Sequence, residues 1–114
     1  MLTIEKLNEF GVNTNEGLER CLNNKDLYFR LINKLILDES FFDLKEEIEK
    51  KNFELAFQIS HSLKGVLGNL AITPLYKIIY ELTELLRAKK DIDYKGYIDE
   101  LLNKRNELES VIKD

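Results

Sequence analysis

Apolar positions recur at helical period along almost the whole chain. Ile4, Leu7 and Phe10 open the pattern, with Thr3 placed to cap a first short helix and Gly11 to stop it. Thr14 or Asn15 can cap a second short helix bearing Leu18, Cys21 and Leu22, and Asn23, Asn24 and Asp26 predict a turn and a new cap. Leu27, Leu31 and Leu35, with Tyr28, Ile32 and Ile36 beside them, predict a long helix that kinks or breaks at Asp38 to Ser40. Phe41, Leu44 and Ile48 continue the stripe to about Lys51. Asn52 is placed to cap a helix from Phe53 to about Leu70. Thr73 and Pro74 restart the chain, Thr73 as cap and Pro74 at the first helical position. Leu75, Ile78, Ile79, Leu82, Leu85 and Leu86 then form a wide apolar stripe, and Lys77 and Glu81 are expected to pair on its exposed side. Asp91-Ile92-Asp93 marks a turn before a last helix presenting Tyr97, Ile98, Leu101, Leu102, Leu108, Val111 and Ile112. No alternating run predicts a strand. The pattern predicts one all-α domain over residues 1–114, an antiparallel up-down-up-down four-helix bundle with one or two short N-terminal helices.

Composition narrows the function classes. Apolar residues make up 44% and charged residues 33% of the 114, the balance of a soluble globular domain. The formal charge is −4, with lysines and arginines interleaved among carboxylates, which argues against nucleic acid as partner. A single cysteine, Cys21, excludes an intramolecular disulfide and fits a reducing compartment; it is expected to be a core thiol. No run approaches the roughly 18 apolar residues of a membrane span, and residues 1–10 lack a signal-peptide core. A cytoplasmic location, no membrane association and a monomeric state are expected. There is no P-loop, no Gly-x-Ser-x-Gly elbow, no His-Glu-x-x-His and no Cys/His cluster, so neither metal nor cofactor is expected.

The chemistry lies on the helix from Phe53. At about 100° per residue, Ala56, Ile59, Leu63, Val66 and Leu70 share one narrow stripe, a seam expected to enter the core. His61, the only histidine, lies almost opposite, as does Gly68. Phe57 and Lys64 flank His61 on the outer half, and Gly65 lies on its other flank. A glycine inside a helix costs about 1 kcal/mol relative to alanine. Two of them off the core seam are expected to clear space for a group approaching the imidazole. Lys64, three residues on, can hold the oxygens of an anion, and an exposed Phe57 is expected to contribute to a contact surface. Imidazole, with an ordinary pKa of about 6.5, is largely neutral near neutral pH. It can attack an acyl phosphate without a base to deprotonate it.

The run His61-Ser62-Leu63-Lys64-Gly65-Val66-Leu67-Gly68-Asn69-Leu70 resembles the signature of histidine-containing phosphotransfer (HPt) domains, His-x-Leu-Lys-Gly-x-x-x-Asn. Gly11-Val12, the Gly17-Leu18-Glu19-Arg20 run, Asp26-Leu27-Tyr28 and the Glu81 to Arg87 run extend the resemblance over about residues 10–88. It implies that His61 is the phosphoacceptor, that Lys64 stabilises the phosphoryl group, and that Gly65 and Gly68 leave room for an approaching receiver domain. Phe57 and Ser60 complete the expected docking surface. Ser60 stands where the family usually has Ala, Ala71 where Gly is common, and Thr83 where Glu is frequent. The resemblance implies a phosphoryl carrier without a kinase active site of its own, working between receiver domains and a hybrid sensor kinase, with any Mg²⁺ held by the receivers. Two alternatives stay open: a helical adaptor that binds receivers with an idle histidine, and the phosphoacceptor bundle of a sensor kinase. The latter usually has an acidic residue after its histidine, where this chain has Ser62.

Overall fold

The computed structural model describes residues 1–114 as an all-helical chain, 77% helix with no strands. Seven helices follow one another: α1 (Ile4–Phe10), α2 (Thr14–Arg20), α3 (Lys25–Leu37), α4 (Ser40–Glu49), α5 (Phe53–Asn69), α6 (Thr73–Arg87) and α7 (Lys95–Lys113). Local chemistry sets most of the boundaries. Thr3 Oγ1 accepts from the Lys6 N–H at 3.1 Å, and Gly11 ends α1 at φ 104°, a left-handed conformation that glycine adopts freely. Asn24 caps α3 by accepting from Leu27 N–H at 3.0 Å. Two caps sit one residue earlier than expected. Asn13, not Thr14 or Asn15, accepts from the Glu16 N–H at 3.2 Å, while the Thr14 hydroxyl turns to Asn8 Oδ1 at 2.7 Å. Ile72, not Thr73, occupies the cap position of α6. The break between α3 and α4 falls at Asp38, which is extended and accepts from Ser40 N–H at 2.9 Å.

Helix α5 packs between α4 and α6; α6 also packs on α7, and α7 on α3 and α1. Its buried stripe is Ala56, Ser60, Leu63, Leu67 and Leu70 rather than the expected seam. Val66 is 40% exposed and Ile59 only partly buried. The helix is turned about 40° about its axis from the purely apolar expectation. Leu67 and the small Ser60 take the inward places that the apolar seam gave to Ile59 and Val66. Serine is tolerated there because its hydroxyl donates to the Phe57 carbonyl at 3.0 Å, one turn back on its own helix. Thr83 on α6, also fully buried, donates likewise to the Ile79 carbonyl at 2.6 Å.

The turn out of α5 is a Schellman motif. Ala71 N–H bonds the Gly68 carbonyl at 3.1 Å, and Ile72 N–H the Leu67 carbonyl at 3.0 Å. Ala71 takes the left-handed position, φ 58°, that glycine usually fills. Residues 70–72 therefore reverse the chain, and α6 runs back along α5.

Two buried polar side chains tie the outer helices down. The Tyr28 hydroxyl donates to the Leu70 carbonyl at 2.8 Å, linking α3 to the end of α5. Gly17 of α2 approaches that ring so closely that a side chain there would overlap it. Arg105 of α7, unforeseen among the apolar residues, is 7% exposed. It donates to the Ile36 carbonyl at 2.7 Å, near the C-terminal end of α3, and its guanidinium lies 5.0 Å from the centre of the Phe42 ring. The expected Lys77–Glu81 pair is not formed. Glu81 instead accepts from the Tyr97 hydroxyl at 2.8 Å, a bond between α6 and α7. Cys21 is buried and free, as expected of a core thiol.

Replacing Ala71 by Gly is expected to raise stability by about 1 kcal/mol, read as a higher urea midpoint at unchanged slope, because the left-handed strain disappears. Tyr28 gives a pH signature. Burial, with the neighbouring Cys21 as a smaller contributor, pushes its phenol up from the ordinary 10.0 to about 12. A folded-state value above the unfolded one means that the stabilisation is fully present below pH 10.0 and is lost as pH rises towards about 12. Tyr28→Phe, which strands the Leu70 carbonyl, is expected to be the less stable protein at pH 8. The gap to wild type should then narrow by roughly 2 kcal/mol across the alkaline limb of a urea–pH series.

Candidate functional site

The rotation of α5 sets the geometry around His61. The imidazole is exposed in the middle of the helix and stacks on Phe57, centroids 5.8 Å apart and planes 20° from parallel. A stacked ring keeps its edge, where the two nitrogens lie, clear of the contact. Phe57 is not a free surface aromatic; it is partly buried and packs against the core. The guanidinium of Arg87, from the end of α6, lies 4.9 Å from the centre of its ring, a cation–π contact.

Lys64 does not stand free beside His61. Its side chain is 17% exposed and bends towards α6. There the ammonium lies 5.3 Å from the centre of the Tyr80 ring and 3.7 Å from Glu84 Oε1. The other oxygen of Glu84 stands 3.4 Å from Arg87 Nε. One carboxylate thus faces two cations, one on each helix. Neither distance reaches the 2.7–2.9 Å typical of a charge-assisted hydrogen bond, so both contacts are loose.

The remaining expected site residues separate into different roles. Gly65 fits the clearance reading, since a Cβ there would meet nothing within 4 Å. Gly68 does not: a Cβ would come within 3.0 Å of Tyr76 Cε1, so packing of α6 explains this glycine. Its carbonyl also accepts from Arg20, which pairs with Glu16. Ser60 is fully buried and is removed from the docking surface. Beside the site, Phe53, Phe57, Leu86 and Tyr94 floor a groove of about 610 Å³ that Arg87 and Lys90 help to line. No three His, Cys, Asp or Glu side chains gather into a cluster able to hold a metal ion, and no helix is long and apolar enough to cross a membrane.

Tyr80, Glu84 and Arg87 were not singled out from the sequence. A signal for them exists: a tight reversal at residues 70–72 pairs positions equidistant from it. Gly68 therefore meets Tyr76, Lys64 meets Tyr80, and Phe57 meets Arg87. A scan against protein-family models finds no match, and searches of the curated proteins and of the solved structures also find none.

The two glycines are expected to part company on substitution. Gly65→Ala should stabilise the protein by about 0.5–1 kcal/mol, the ordinary helix-propensity gain in open space. Gly68→Ala should lose that gain to the displaced Tyr76 ring and come out neutral or destabilised. Thermal unfolding of the pair under identical conditions checks both.

Proposed function

We propose that this protein is a histidine phosphotransfer carrier of a two-component phosphorelay. In this reading α3 with α4, α5, α6 and α7 form the four antiparallel members of an up-down-up-down bundle, and α1 and α2 are the short N-terminal helices. The observation that carries the reading is His61 itself: exposed at mid-helix, its ring edge free, with the open Gly65 beside it. Support comes from Lys64, one helical turn away, and from the resemblance of residues 61–70 to the phosphotransfer signature.

The step needs little from the protein. A receiver domain presents an aspartyl phosphate. The lone pair of a neutral imidazole nitrogen attacks phosphorus, an N–P bond forms, and the acyl P–O bond breaks. The aspartate carboxylate leaves with the electron pair, while the imidazole proton stays on the other nitrogen. Reversal of the same step onto a second receiver's aspartate passes the group on. Positioning and charge are the protein's contribution. The Phe57 platform fixes the ring plane, Gly65 admits the partner, and Lys64 supplies positive charge for the phosphoryl oxygens. The partners are receiver domains, including that of a hybrid sensor kinase, and the chain acts as a carrier rather than as an enzyme with its own kinase site.

One observation favours a second reading, an adaptor with an idle histidine. Lys64 is occupied by Glu84 and Tyr80 rather than held free beside His61. Transfer from a phosphorylated receiver to wild type and to His61→Gln separates the two. Wild type is expected to acquire acid-labile, alkali-stable label, and the folded, helical variant to acquire none. Receiver binding that persists in His61→Gln, with no label on wild type from any receiver of the same cell, would replace the carrier by the adaptor.

A further inference from the structure

We propose that Glu84 is an internal competitor for the phosphoryl group: it holds Lys64 while His61 is unmodified and yields it to phosphohistidine, so that its charge sets how tightly the phosphoryl group is retained. This rests on the carrier reading above and goes beyond it in assigning a residue of α6 a positioning role.

The geometry has three parts. Lys64 follows His61 by three residues, so the two side chains leave the same face of α5 about 5–6 Å apart at their Cβ atoms. The Lys64 ammonium is nevertheless drawn away to Glu84 Oε1, 3.7 Å distant, and over the Tyr80 ring. Glu84 is itself shared, with Arg87 Nε at 3.4 Å from its second oxygen. It is the one carboxylate in ion-pair range of Lys64, and its side chain is 42% exposed, so solvent screens the pair and breaking it costs little.

A phosphoryl group on the imidazole brings about −1.5 to −2 charges and three strong acceptor oxygens. A single carboxylate cannot match that for the ammonium of a lysine whose flexible stem reaches both. Lys64 therefore exchanges partners when the N–P bond forms. Glu84 remains nearby with its own negative charge, which opposes the phosphoryl group and keeps Arg87 as its counter-ion. Both effects act in one direction. The carboxylate raises the free energy of phosphohistidine relative to the partner's aspartyl phosphate, which suits a carrier that must give the group away. The exposed, loose geometry makes the exchange reversible.

The test equilibrates the 114-residue chain with a phosphorylated receiver and measures the partition of phosphoryl between His61 and the receiver's aspartate. Wild type, Glu84→Gln, Lys64→Ala and the double variant are compared. Glutamine keeps the size of Glu84 at a partly exposed position, and circular dichroism verifies helicity in each variant. Glu84→Gln is expected to shift the partition towards His61 by about two- to fivefold, the scale of one partly exposed charge contact, and to slow decay of the isolated phosphoprotein. In the Lys64→Ala background the same substitution should shift it by less than half as much on a logarithmic scale, the signature of coupling between the two side chains. A labelled wild type whose partition Glu84→Gln leaves unmoved overturns the competitor role alone. An equal shift with and without Lys64 does so too, since Glu84 would then act only through its own charge. A wild type that takes no label overturns the carrier reading and this inference together.

Discussion

Helix α5 can bury only one face, and the choice of that face governs most of what surrounds it. With Ala56, Ser60, Leu63, Leu67 and Leu70 turned inward between α4 and α6, His61 and Gly65 must face out. Phe57 and Lys64 fall on the flank towards α6. The interior accepts one serine because its hydroxyl returns to a carbonyl of the same helix, and the Tyr76 ring of α6 leaves little room for a side chain at Gly68. The Schellman turn at the end of the helix then reverses the chain within three residues, which brings Tyr80, Glu84 and Arg87 alongside.

Charge around His61 is arranged in weak, interchangeable contacts. Aromatic faces hold the cations in place: Phe57 receives Arg87 and Tyr80 receives Lys64. Glu84 balances both without a short hydrogen bond to either. Such contacts hold side chains near His61 while leaving them free to move. A tightly satisfied, buried ion pair in the same place would resist the arrival of a further negative charge. The firm polar contacts lie elsewhere. Tyr28 on the Leu70 carbonyl and Arg105 on the Ile36 carbonyl clamp α3 to the end of α5 and to α7, away from His61.

The elements were legible because they depend on neighbours in sequence. Helical period, Thr3, Asn24 and Pro74 placed the helices to within a residue or two, and Asp38 placed the break. The apolar seam of α5 lies about 40° from its core face, since a purely apolar seam has no place for Ser60 and takes in Val66. The same preference for apolar residues hid Arg105, whose burial depends on a carbonyl 69 residues away.

What the sequence determined alone is therefore local and angular: a succession of amphipathic helical segments, no alternating run for a strand, and a lone histidine on the outer side of a long helix with glycines beside it. A helix fixes the angle between its own residues regardless of what it packs against. Which neighbour arrives at each angle was decided only in three dimensions. Tertiary packing turned α5, gave Gly68 a partner in Tyr76, buried Ser60 and drew Lys64 across to Glu84. Those outcomes hang on contacts between side chains far apart along the chain, where a shift of one helix by a fraction of a turn changes which atoms meet.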